Sequence, residues 1–203
     1  MAVTEPSSAH PMDPPEGTEA LLFDCDGTLV DTMGLYRICW RQVFGWHGFD
    51  MTDEWFDTWA GHSTVPFVQA ALGDVDDAQI DAVVREGVDL FLESTHLLEP
   101  LEHVVAVARA HHGRLPMAVV SGGPRSAVMA SLAAVGISDL FDAVVTVSDV
   151  PRGKPAPDAY LRAIELLGVS ADRCVAYEDT GSGIESAAAA GIPVVVDVRW
   201  HRA

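Results

Sequence analysis

The chain is short of positive charge. Of its 12 basic residues, Lys154 is the single lysine and the rest are arginines, against 30 acidic residues and a formal net charge of −18. Nonspecific nucleic-acid binding needs a basic face to neutralise phosphates, so that class of partner is excluded. The same deficit argues against docking on anionic membranes. Cysteine is also scarce. Cys25, Cys39 and Cys174 are odd in number, widely spaced and without a CxxC pair, which excludes a disulfide framework and a structural zinc site. Reduced thiols in a cytoplasmic protein are expected. No apolar run reaches transmembrane length. Residues 1–18 hold four prolines but neither a basic start nor an apolar stretch, so they read as a disordered tail rather than a signal peptide. The eight histidines show no HxxxH or HxH metal spacing.

What the chain has is ample core material, with 49% hydrophobic residues over 203 positions, enough for one domain carrying an insertion. Ala20–Phe23 is a short buried-type strand that delivers Asp24 at its tip. From residue 33 to 95 the pattern is helical, with pieces at Tyr36–Trp46, Asp53–Trp59, Val65–Leu72 and Asp76–Leu92. Beyond that, strands at 116–120, 143–146, 174–177 and 193–198 alternate with helices that end at Gly136, Gly168 and Gly191. Helix, glycine, strand, repeated, predicts an α/β fold with a doubly wound, mostly parallel, Rossmann-like sheet. A stretch as long as 33–95 is too long for a loop and reads as an inserted all-helical cap. The expected organisation is a tail at 1–18, a core at 19–32 and 96–203, and the cap at 33–95.

Four polar patches fall at predicted strand ends. In Asp24-Cys25-Asp26-Gly27-Thr28-Leu29-Val30-Asp31-Thr32, two carboxylates two residues apart can share one site and repel each other's ionisation. In Val120-Ser121-Gly122-Gly123, a hydroxyl and backbone N–H groups can hold phosphate oxygens. In Gly153-Lys154-Pro155-Ala156-Pro157-Asp158, the lysine sits on a rigid turn and supplies a point charge for phosphate. This is no P-loop, because Ser148 stands where the first glycine belongs. In Glu178-Asp179-Thr180-Gly181-Ser182-Gly183, paired carboxylates precede a glycine-rich helix start and suit a hard cation such as Mg²⁺.

In this order the motifs resemble the haloacid dehalogenase superfamily, in the subgroup with a helical cap after the first motif. Within it the chain is similar to the β-phosphoglucomutase-like branch and to bacterial small-sugar phosphatases of the fructose-1-phosphatase type. The resemblance implies Asp24 as nucleophile through an aspartyl-phosphate and Asp26 as general acid and base. It implies Thr28, Ser121 and Gly122 as phosphate-binding groups and Lys154 as the catalytic lysine. Mg²⁺ would be held by Asp24, the Asp26 backbone carbonyl and Asp179, with Glu178 direct or through water. Arg125 is a candidate for phosphate or leaving-group contact. The cap loop Gly61-His62-Ser63-Thr64 resembles the family's specificity loop, with His62 as a substrate-binding candidate.

The presence of Asp26 argues against dehalogenation, and a cap without lysine argues against phosphonate cleavage. A mutase of this family would carry histidine where Tyr36 stands, which favours hydrolysis. The expected function is a Mg²⁺-dependent phosphatase acting on a small phosphorylated metabolite, with a hexose phosphomutase or a phosphoglycolate-type phosphatase as alternatives. Residues 33–95 carry eleven acidic residues against Arg37, Arg41 and Arg85. A second phosphate would find little there, so a monophosphate with a neutral sugar or polyol body is expected. We expect a monomer or weak dimer. The aromatic stripe Trp40, Phe44, Trp55, Phe56 and Trp59 reads as cap core.

Overall fold

The computed structural model describes residues 12–59 and 64–201. Five strands form one all-parallel sheet, β1 (Ala20–Phe23), β2 (Met117–Val120), β3 (Ala143–Val145), β4 (Cys174–Glu178) and β5 (Val194–Asp197), in the order β3-β2-β1-β4-β5. Eight α-helices accompany them among the described residues, from α1 (Met33–Trp46), α2 (Asp53–Trp59), α3 (Thr64–Leu72) and α4 (Asp77–Ser94) to α5 (Glu102–His111), α6 (Arg125–Ala134), α7 (Asp158–Leu167) and α8 (Gly181–Ala189). This is the expected doubly wound architecture. No described helix is long and apolar enough to cross a membrane.

The strands are short apolar runs because both faces of the sheet are covered. Along β1, Leu21 and Phe23 enter one core with Met117, Val119, Val175 and Tyr177. Ala20 and Leu22 enter the other with Ala118, Val120, Cys174 and Ala176. The α5 and α6 residues Val104, Val105, Val128 and Leu132 close the first layer, and the α7 and α8 residues Ala159, Ala163, Ile164 and Ala187 close the second. Full burial of a leucine, valine or phenylalanine contributes about 1.5–3 kcal/mol, so both layers are needed to hold the central strand.

Helices α1 to α4 assemble around a third cluster of Val43, Phe44, Met51, Phe56, Phe67, Val68, Ile80 and Val83. Trp40, Trp55 and Trp59 pack against it, so the aromatic stripe is core. Helix starts follow local signals. Thr52 Oγ1 accepts from Trp55 N at 3.2 Å ahead of α2. Asp76 with Gln79 forms a capping box at α4. Two crossing segments join these helices to the sheet. Asp31 N donates to Glu99 O and Leu101 N to Leu29 O, each at 2.9 Å, so the exit and return chains form a short antiparallel ribbon.

Residues 12–18 correct the expectation of a disordered tail running to residue 18. Met12 is 1% exposed within the first core layer, and Tyr177 Oη donates to its carbonyl at 2.8 Å. One large apolar side chain in a proline-rich segment is enough to fasten it. Residues 1–11 lie outside the described residues.

Candidate active site

Sheet register brings the motifs together. Phe23 pairs with Val119 on one side and Tyr177 on the other, so the next residue, Asp24, stands level with the ends of β2 and β4. Asp24 N extends the ladder by donating to Tyr177 O at 3.0 Å. The chain then turns on itself, with Leu29 N and Val30 N both donating to Cys25 O at 3.0 Å and Gly27 N to Val30 O at 2.8 Å. Alternation sends Cys25 into the core, fully buried. Burial there pushes its thiol well up and leaves it inert. Gly27 is required twice over. Its φ is +81°, and a Cβ there would collide with Asp179 Oδ2. Only glycine meets both conditions without strain.

At the centre Lys154 Nζ donates to Asp24 Oδ1 at 2.7 Å, to Val120 O at 2.8 Å and to Glu178 Oε1 at 2.5 Å. Its turn is tied down by Ser186 Oγ, which donates to Ala156 O at 2.6 Å. Burial alone would lower the lysine's pKa, but the Asp24 and Glu178 carboxylates outweigh it and keep the ammonium charged. Glu178 is fully buried. Its Oε1 also accepts from Tyr160 Oη at 2.9 Å, and its Oε2 accepts from Asp179 N and Thr180 Oγ1, both at 3.2 Å. Gly183 makes room for it, because a Cβ there would overlap the carboxylate. Thr180 caps α8 by accepting from Gly183 N at 3.1 Å. The glycine-rich stretch is therefore the first turn of a helix rather than a loop.

The second carboxylate of the first motif faces the end of β2. Ser121 Oγ donates to Asp26 Oδ2 at 3.2 Å and accepts from Gly123 N at 2.9 Å. Burial raises the Asp26 pKa, opposed by the nearby Thr32 and Ser121 hydroxyls, Lys154 and the Tyr36 phenol. Burial also raises Asp24 well above the usual carboxylate range. Lys154 opposes this, and the neighbouring Glu178, Asp179 and Asp26 charges add to it. Thr28 Oγ1 lies 3.5 Å from Asp179 Oδ1, and Gly122 is exposed beside Ser121.

Asp24, Asp26, Thr28, Ser121, Gly122, Lys154, Glu178 and Asp179 therefore converge on one edge of the sheet. Arg125 does not join them, which corrects its reading as a phosphate contact. Its guanidinium donates to Val144 O at 3.1 Å and to Asp149 Oδ1 at 3.3 Å, so it braces the chain after β3. His62 lies outside the described residues. Tyr160 was not anticipated. Its only signal is a hydroxyl on the otherwise apolar buried face of α7 that carries Ala159, Ala163 and Ile164.

The donor set fits a hard divalent cation. Asp24, Glu178 and Asp179 each offer a carboxylate oxygen, and the three lie within 4.8 Å of one another. Asp24 Oδ2 is buried without a hydrogen-bond partner among the described residues. An orphaned carboxylate oxygen beside two further carboxylates is a costly arrangement unless something positive meets it.

A family model of the haloacid dehalogenase-like hydrolases matches residues 18–191. The chain belongs to that family. This hydrolase is 38% identical to the fructose-1-phosphate phosphatase YqaB of Escherichia coli over 185 residues, covering 88% of this chain and 95% of the relative. It is 29% identical over 189 residues to a phosphorylated carbohydrates phosphatase of Thermotoga maritima, covering 89% of this chain and 85% of the other. Among solved structures it resembles CbbY from Rhodobacter sphaeroides in complex with phosphate. The TM-score is 0.78 at 26% identity, covering 88% of this chain and 85% of that one.

Proposed function

We propose that this hydrolase cleaves a small monophosphate ester with a sugar or polyol body, using Mg²⁺. The observation that carries the reading is the Asp24 carboxylate. One oxygen is oriented by Lys154 at 2.7 Å, while the other is buried at the end of the central strand with no partner among the described residues. One of the two oxygens would face the cation, and the other is available to attack phosphorus.

Asp24, Asp179 and the Asp26 carbonyl would hold the cation, with Glu178 beside them. When bound, Mg²⁺ supplies the positive charge that lets an anionic carboxylate approach an anionic phosphoryl group. Asp24 forms a bond to phosphorus as the ester oxygen leaves. Asp26 gives that oxygen its proton, and burial helps keep the proton on Asp26 until then. Asp26, now ionised, takes a proton from water, which attacks the aspartyl-phosphate and releases orthophosphate. Ser121 holds the Asp26 carboxyl, while Thr28, Gly122 and Ser121 offer donors to the phosphoryl oxygens. Lys154 balances charge on Asp24 and the transferring group.

The residues between 33 and 95 are read as a cap over this edge. Two of their three arginines support a monophosphate. Arg37 is paired with Asp53 at 3.0 Å and Asp57 at 2.6 Å, and Arg41 with Asp53 at 2.6 Å. Both are engaged within the helices rather than offered to a second phosphate. The three buried free cysteines support a reducing, cytoplasmic setting.

A panel of phosphate monoesters and bisphosphates, assayed with and without Mg²⁺, tests the reading. Release of orthophosphate from monophosphates in Mg²⁺ alone is the expected result. A preference for bisphosphates would overturn the cap argument. Conversion of one sugar phosphate into its isomer, with the phosphate retained, would overturn hydrolysis in favour of a mutase.

A further inference from the structure

Lys154 is fully committed. An ammonium has three N–H donors, and here all three meet protein acceptors, namely Asp24 Oδ1, Val120 O and Glu178 Oε1. To reach a phosphoryl oxygen it must give up or share one of these bonds. Val120 O is a main-chain atom at the end of β2 and cannot follow a moving side chain. The bond to Asp24 orients the attacking carboxylate and is needed throughout. Glu178 Oε1 differs from both, because a second side-chain donor already rests on it. Tyr160 Oη donates to it at 2.9 Å from a residue that is fully buried.

We propose that Tyr160 is a positioning residue that lets Lys154 transfer one hydrogen bond from Glu178 to the phosphoryl group. Without the phenol, that transfer strips Glu178 Oε1 of its last side-chain donor, on a carboxylate too buried for solvent to replace it. With it, the buried oxygen stays satisfied and the lysine is free to exchange partners. Glu178 Oε2 is held separately by Asp179 N and Thr180 Oγ1, so the carboxylate does not rotate to follow the lysine. The Tyr160 ring centroid lies 5.3 Å from Nζ. That distance keeps the ammonium over the ring face during the exchange. The hydroxyl and the ring thus do separable jobs, and replacement by phenylalanine isolates the first. The inference rests on the phosphatase reading, since it concerns how the lysine of that site meets phosphate.

The single lysine makes the test clean, because protein labelled with ¹⁵N-lysine gives one side-chain ammonium signal. In the wild type with Mg²⁺, orthophosphate should shift that signal. In Tyr160→Phe the same shift should need at least about fivefold more phosphate, the cost of leaving a buried acceptor short of one donor. The loss should appear in KM more than in kcat. Equal phosphate affinity in the two proteins would overturn the proposal. A second measurement needs no variant. With ¹³Cζ-labelled tyrosine in the wild type, phosphate should move the Tyr160 resonance and leave Tyr177 in place, since the Tyr177 hydroxyl donates to Met12 O. An unmoved Tyr160 signal would overturn the proposal even if Tyr160→Phe did not fold. If the wild type neither hydrolysed monoesters nor bound orthophosphate, the phosphatase reading itself would fall, a result distinct from either of these.

Discussion

Lys154 Nζ meets Asp24 Oδ1 at 2.7 Å across 130 residues of sequence, in a site where the two side chains are 9% and 8% exposed. Buried this way, neither charge is stable without the other. Lys154→Ala should lower stability by about 3 kcal/mol by leaving two buried carboxylates without their counter-ion, and should cut kcat/KM by a factor of about 10³ or more. Denaturant melts and steady-state kinetics measure the two effects. Turnover near the wild-type rate would remove the lysine from the mechanism.

The two glycines that approach carboxylates should be intolerant of a methyl group. Gly27→Ala forces a positive φ and a collision with Asp179 Oδ2, and Gly183→Ala a collision with the Glu178 carboxylate. Each should weaken Mg²⁺ binding more than tenfold, an effect of about 1.4 kcal/mol or more, read by titration calorimetry. Gly34, inside α1 with nothing within 4 Å of an added methyl, is the control. Gly34→Ala should raise stability by about 0.5–1 kcal/mol through helix propensity and leave metal binding alone.

Metal should stabilise the fold, because the carboxylates proposed to hold it, Asp24, Glu178 and Asp179, repel one another once folding gathers them. At a hundred times its Kd, Mg²⁺ adds about 2.7 kcal/mol, and Asp179→Asn should abolish the corresponding rise in Tm. Burial and the neighbouring carboxylates raise Asp24, and protons compete with the metal for it. Mg²⁺ affinity should therefore fall on acidification at a pH above the ordinary carboxylate range. The metal-free protein should show the opposite trend in stability. A carboxyl raised in the folded state holds its proton more firmly there than in the unfolded chain. Its stabilising contribution is full below the unfolded pKa and is lost as pH rises through the folded value. Calorimetric titrations and melts over a pH series, with and without Mg²⁺, check both signs.

Met12→Ala should destabilise the protein by about 2–4 kcal/mol while leaving kcat unchanged. The side chain is buried in the first core layer, and the Tyr177 hydroxyl depends on the same residue's carbonyl. A melt unaltered by the substitution would show that residues 12–18 lean on the core without supporting it.

Much of the site could be read in advance because strand ends and turns are local. Asp24, Ser121 and Glu178 each come at the end of a short apolar run, which chain direction alone sends to the carboxyl edge of a parallel sheet, and Lys154 stands in a turn between Gly153 and Pro155. The glycine stops at Gly136, Gly168 and Gly191 and the capping residues Thr52 and Asp76 are likewise encoded within a few positions. Arg125 and Met12 have the opposite character, because their neighbours are distant in sequence. Arg125 is near the Ser121 loop in sequence, but Asp149 and the Val144 carbonyl compete for it from β3 and the turn beyond. Met12 reads as part of a solvated segment because nothing local shows that Tyr177 and the sheet wait for it.

Sequence alone thus determined the order of strands and helices, the insertion of a helical block and the residue types of the chemistry, since these rest on periodicity and turn-forming residues. Only the tertiary structure decided the pairings. Parallel register sets Asp24 beside Glu178. The packing of α7 across β3 and β2 lets the Tyr160 hydroxyl reach Glu178 at 2.9 Å. Contacts of that kind form between residues far apart in the chain, where packing, and not local preference, selects the neighbour.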